Sequence, residues 1–201
     1  MHCVYRGLNV AEILGNSEKL AMAYSTVAFV TKRLDYAAKA QNSAPPGTPT
    51  SAFCSMLYGG MSIGEGEFMK AEEALKISIT VSKSARDLAT LGLSMSVLGW
   101  ALFCQGKFEE ALALSEKILN LGKMKDDTRF VNWGRNSKVR DLLALQRHDE
   151  AREMMRDIDA HITAEGGLAK FLKSDQVHFV GFRVVRACQS QSYEPKKCVL
   201  E

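Results

Sequence analysis

Four glycines (Gly59, Gly60, Gly64 and Gly66) crowd the stretch Tyr58–Phe68, YGGMSIGEGEF, and glycine is the residue that lets a backbone wrap around phosphate. The companions of that chemistry are missing. No Gly-Lys-Ser/Thr follows, no hydrophobic strand precedes, and the spacing is not G-x-G-x-x-G, so the stretch reads as a helix end followed by an interhelical turn. Metal chemistry fares no better: His2, His148, His161 and His178 are scattered, and no H-E-x-x-H sets two imidazoles on one helix face. Asp141, Asp149 and Glu150 lie near His148, but a histidine–acid set without a nucleophile is not a triad. The pairs Glu109-Glu110 and Asp126-Asp127 are accounted for by attraction to the positive end of a helix dipole. No catalytic residue, metal ligand or cofactor is expected.

The five cysteines, Cys3, Cys54, Cys104, Cys188 and Cys198, are odd in number and include no C-x-x-C pair. This argues for thiols in a reducing compartment rather than a disulfide framework or a zinc site. Cys54 and Cys104 fall within apolar helical patterns and read as small core residues. The final Cys198-Val199-Leu200-Glu201 fits C-a-a-X, but glutamate at the last position lies outside the residues prenyltransferases take. Lys196-Lys197 is also a poor second anchor, so lipidation at Cys198 is discounted. A formal charge of +3 with no run of five basic residues gives nothing to neutralise a phosphate backbone, and no nucleic-acid partner is expected. No apolar run approaches the roughly 18 residues of a membrane span, and MHCVYRGLNVAEILG is not a leader sequence. The expectation is a soluble, cytoplasmic protein.

The elements that carry these residues follow from periodicity. With 46% hydrophobic and 24% charged residues, a chain of 201 residues can bury a substantial core. SEKLAMAYSTVAFVTKRL, ARDLATLGLSMSVLGWALF, FEEALALSEKIL and DEAREMMRDIDAHI space their apolar residues by three and four, and no alternating β-branched runs appear. The class is all-α. Pro45, Pro46 and Pro49 mark a loop, Gly15-Asn16-Ser17-Glu18 divides two helices, Ser84 with Asp87 resembles a capping box, and Asp126-Asp127 precedes the helix holding Trp133.

An internal repeat organises the helices. GEFMKAEEALKISI, GKFEEALALSEKIL and QRHDEAREMMRDID align so that Gly66, Gly106 and Gln146 share a column, as do Phe68, Phe108 and His148, and Ala71, Ala111 and Ala151. Successive alanines stand 40 residues apart, and Gly59, Gly99 and Val139 stand twelve residues before them. Leu34 and Ala37 place a weaker, earlier unit in the same columns. Small residues recurring at matched depth let paired helices approach closely.

The stretch MSVLGWALFCQGKFEEALALSEKIL resembles the tetratricopeptide repeat, whose pattern runs W-x₂-L-G-x₂-Y…A-x₃-F…P. Leu98-Gly99, Leu102, Phe108 and Ala111 occupy matching positions, while Met95, Ser115 and Lys123 replace the tryptophan, the later aromatic and the proline. The resemblance covers roughly residues 17–165 and implies a right-handed solenoid of antiparallel helix pairs, with units near 17–44, 50–83, 84–124 and 126–165. The 40-residue spacing predicts longer helices than the usual 34-residue unit supplies. Residues 1–16 read as the remnant helix of a preceding repeat, 166–190 as a terminal helix and 191–201 as a flexible tail, so the chain is expected to be a segment of a longer array or a truncated gene product.

The resemblance also implies a role: a non-catalytic scaffold that binds a protein or peptide in a concave groove. The groove positions map to Leu93, Ser96, Trp100 and Phe103, and to Trp133, Asn136, Arg140 and Leu143. Of these, Trp100, Phe103, Trp133, Asn136 and Arg140 are the candidate partner-binding residues. The clamp used by chaperone-binding members is absent from this mapping. The phrasing of the helices is also loosely similar to the repeat regions that follow ATPase or class III adenylate cyclase domains, which implies as an alternative a regulatory, signalling fragment.

Overall fold

The computed structural model describes residues 2–164, and all the regular structure among them is helical. The helices are α1 (His2–Leu14), α2 (Ser17–Thr31), α3 (Leu34–Ser43), α4 (Pro49–Gly64), α5 (Phe68–Ser84), α6 (Leu88–Cys104), α7 (Phe108–Lys125), α8 (Thr128–Ala144) and α9 (His148–Ala164). They fall into two compact units, Met1–Lys107 with α1–α6 and a second beginning at Phe108 with α7–α9. The terminal helix expected over residues 166–190, the tail over 191–201 and Cys198 lie outside the described residues.

One device makes all eight connectors between the described helices. Two residues before each new helix stands a residue with positive φ: Gly15, Lys32, Gly47, Gly66, Arg86, Gly106, Asp126 or Gln146. The residue after it begins the next helix as its cap, and Asn16, Thr48, Asp87 and Asp127 accept a backbone N–H there with their side chains. From Gly66 to Gln146 this left-handed residue recurs every twenty positions. At each of those five turns the following N–H reaches back five residues to a carbonyl, as from Lys107 to Leu102 at 3.0 Å and from Arg147 to Leu142 at 2.9 Å. This satisfies carbonyls that a helix end leaves orphaned. The 40-residue repeat is thus two helices of about this length with two identical turns, and α5, α6, α8 and α9 have 17 residues each.

The capping box read at Ser84 and Asp87 is corrected by this geometry. Ser84 is the last residue of α5 and its hydroxyl donates to the Thr80 carbonyl, while Asp87 alone caps α6 by accepting from the Thr90 N–H at 3.1 Å. The reading of Cys104 as a core residue is also overturned. As the last residue of α6 it has rotated onto the exposed side, whereas Cys54, in the middle of α4, is fully buried and meets the Ser25 hydroxyl at 3.3 Å.

In the first unit α4 lies against α5, and α5 against α6. A β-carbon on Gly59 would stand 2.7 Å from Leu75 Cγ and 3.1 Å from the Ala71 carbonyl oxygen, so the missing side chain sets how close α4 and α5 come. Ser78 on α5 donates to the Ala52 carbonyl on α4 and meets the Ser94 hydroxyl of α6 at 2.7 Å, a buried polar seam across three helices. Glu72 on α5 accepts from Lys76 Nζ (2.6 Å), Lys107 Nζ (2.9 Å) and Gln105 Nε2 (3.1 Å), fastening α5 to the turn that ends α6. These donors hold its carboxyl well below the usual range, at about 2, with the Lys76 bond the largest cause.

The second unit repeats the small-residue device more severely. A β-carbon on Gly134 of α8 would fall 2.6 Å from the Leu119 backbone of α7, and one on Gly122 of α7 would fall 2.5 Å from the Val131 nitrogen of α8. Around this crossing, Leu112, Leu142 and Ala151 form one buried cluster and Val139 with Ile158 another.

Candidate functional site

The candidate residues lie on α6 and α8, the helices capped by Asp87 and Asp127. On α6, Leu93, Ser96, Trp100 and Phe103 follow spacings of three and four, which places them in one stripe along the helix. Ser96 is buried, Leu93 and Phe103 are half-buried, and Trp100 is 45% exposed. The Trp100 and Phe103 rings stack, with centroids 5.7 Å apart and planes 15° from parallel, forming a flat aromatic shelf.

On α8 the same spacing divides differently. Trp133 is buried beside Phe130 of the same helix, ring centroids 5.5 Å apart, and Leu143 packs against the Val139–Ile158 cluster of its unit. Asn136 and Arg140, between them, are half-buried. Arg140 donates through Nε and Nη2 to Oδ1 of Asp141 at 2.8 and 2.7 Å. Asp141 itself is 0% exposed, and its Oδ2 is buried without a hydrogen-bond partner. Burial pushes the Asp141 carboxyl up, opposed by Arg140 and the nearby Ser115. The ion pair therefore anchors a guanidinium whose side chain is 20% exposed to a fully buried carboxylate.

The structure brings Trp100 together with Phe103 in the first unit and sets Asn136 beside Arg140 on one helix of the second. Among the residues assigned to the repeat framework, Ala71, Ala111 and Ala151 are 0% exposed, and so is Ala37 of the weaker unit. Gly59 and Gly99 are buried, Phe108 is half-buried, and His148 is exposed. Phe68, Phe108 and His148 are the first residues of α5, α7 and α9, as Leu34 is of α3. Sequence reasoning weighed Asp141 only as a neighbour of His148, not as a buried anchor, and missed Glu72. The signal available was position: Asp141 lies between Val139 and Leu142, and Glu72 follows Ala71, each on a helix face otherwise made of core residues.

Among the described residues no group of three His, Cys, Asp or Glu side chains could hold a metal ion, and no helix is long and apolar enough to cross a membrane. The geometry defines a helical-repeat protein. The tetratricopeptide-repeat family model matches residues 92–117 and 133–157, which run from α6 into α7 and from α8 into α9, so these stretches are similar to tetratricopeptide repeats, and the all-α helical-repeat fold is consistent with that family. A comparison with curated proteins finds no match. Tetratricopeptide repeats are protein-interaction modules and typically scaffolds rather than enzymes.

Proposed function

We propose that this protein is a non-catalytic scaffold in which the α6 stripe of the first unit and the α8 stripe of the second each offer a surface to a protein or peptide partner. The carrying observation is the Trp100–Phe103 shelf: a tryptophan 45% exposed within a matched repeat, stacked on a second aromatic ring. Such a pair offers a large apolar area at small entropic cost, and tryptophan and arginine are the side chains most often found at binding hot spots. On α8, Asn136 and Arg140 supply directed polar contacts, and the Asp141 anchor limits the rotamers the guanidinium must give up on binding.

The test begins with partners captured from a cell extract and measured again as purified proteins. Trp100→Ala is expected to weaken binding by about tenfold or more, with the far-ultraviolet circular dichroism of the wild type retained. Combined with Arg140→Ala it is expected to abolish capture. Wild-type affinity in a folded double variant removes the assignment of these faces.

A further inference from the structure

A second surface, independent of α6 and α8, lies on the first helix pair. Val10, Ile13 and Leu14 on α1 and Met22, Phe29 and Val30 on α2 are exposed, with Ile13 at 84%. Exposed apolar side chains gathered on one pair of helices mark a contact surface rather than ordinary scatter. Between the two helices runs an open groove of about 470 Å³, lined almost wholly by apolar groups of α1 and by Lys19, Ala23 and Thr26 of α2.

The side chains along α1 specify the occupant. Leu8 and Ala11 line the groove as buried residues, and beside them the stripe Cys3, Gly7, Val10, Leu14 lines it as exposed ones. Its spacing of four, three and four is that of a helix-pairing seam. The stripe is also its own complement: laid antiparallel against a second copy of itself, it sets Cys3 opposite Leu14 and Gly7 opposite Val10. Each contact then pairs a small residue with a large one, twice over, as a two-fold interface requires. Charge does not oppose the arrangement, since Arg6 and Lys19 are balanced by Glu12 and Glu18 across the same two helices.

We propose that the α1–α2 face is a homodimer interface, in which α1 of each copy lies antiparallel in the groove of the other about a two-fold axis. Gly7 makes the idea testable without disturbing the monomer. A β-carbon there meets nothing within 4 Å, and φ at Gly7 is not positive, so a side chain fits the isolated chain and improves its helix propensity. In the dimer the same side chain would collide with Val10 of the partner subunit.

Light scattering of the 201-residue chain at micromolar concentration is expected to give twice the chain mass, and Gly7→Leu the single chain mass with circular dichroism unchanged. Register is read separately by Leu14→Cys in a background carrying Cys104→Ser, Cys188→Ser and Cys198→Ser. Diamide, as the two-electron oxidant, is expected to link residue 14 of one copy to Cys3 of the other, while the background alone stays unlinked because its Cys3 residues lie at opposite ends of the seam. A monomeric wild type, a Gly7→Leu dimer, or linkage of the background through Cys3 overturns the proposal. None of these variants touches Trp100 or Arg140, so failure here is distinguishable from failure of the binding reading.

Discussion

Glu72 and Asp141 are both carboxylates on buried helix faces, yet their surroundings drive them in opposite directions. Glu72 receives three donors, and its carboxyl is held down at about 2. Because the folded value is depressed, its contribution to stability is complete above the ordinary value of 4.5 and is lost as pH falls towards about 2. The contribution is on the order of 1 kcal/mol, less than the full shift implies, because Lys76 is 63% exposed and water screens the pair. Glu72→Gln is expected to flatten the urea midpoint between pH 4.5 and 2, where the wild type declines; an equally steep decline in the variant refutes the assignment. Asp141 has the opposite sign. Its carboxyl is raised by burial, so ionisation there costs stability as pH rises through the ordinary carboxylate range. Asp141→Asn is therefore expected to retain or raise the neutral-pH melting temperature while loosening the hold on Arg140 and weakening partner binding. The turn residues make a third case. Gln146 takes a φ of 60° where its counterpart Gly106 takes 74°, and a β-carbon in that region is strained. Gln146→Gly is expected to stabilise by about 0.5–1 kcal/mol and Gly106→Ala to destabilise by about 1–2 kcal/mol, both read from chemical denaturation.

At the scale of the helix, spacing between axes is set by what is absent from the side chains. The α7–α8 crossing has no room for a methyl group at Gly134, whose neighbour is backbone and cannot rotate away. Gly134→Ala is expected to cost about 3 kcal/mol, at the upper end of overpacking penalties. The α4–α5 crossing at Gly59 is more forgiving, since the nearest atoms belong mainly to the Leu75 side chain. Ala111, 0% exposed one turn into α7, is expected to lose about 1–3 kcal/mol on substitution by leucine, and an unchanged melting temperature would count against the repeat register. Close approach by small residues recurs in both units, but sequence alone ranked Gly99 and Ala111 above Gly122 and Gly134. The alignment could show which positions are small, not which of them meet a neighbour's backbone.

Across the whole chain, each unit holds its own buried clusters and its own polar fastening, Glu72 in the first and Asp141 in the second. Repeat proteins draw stability from neighbours rather than from one shared centre. Gly134→Ala is accordingly expected to raise amide hydrogen exchange in α7–α9 more than in α2–α5, and uniform acceleration would refute this division. The helical class and the 40-residue repeat were legible from one sequence, because apolar spacing and the Gly66, Gly106 and Gln146 column are local properties of the backbone. The twenty-residue period beneath them was hidden, since Arg86 and Asp126 do at alternate turns what glycine does at others and give no compositional sign of it. The sequence by itself determined where helices run and where the chain must reverse. Tertiary structure alone decided which side of each helix meets water: that Trp100 is exposed and Trp133 buried, that Cys54 is enclosed and Cys104 is not, and that Asp141 anchors Arg140. Periodicity fixes a stripe on one helix, but burial depends on neighbours whose approach is set by residues far away in sequence.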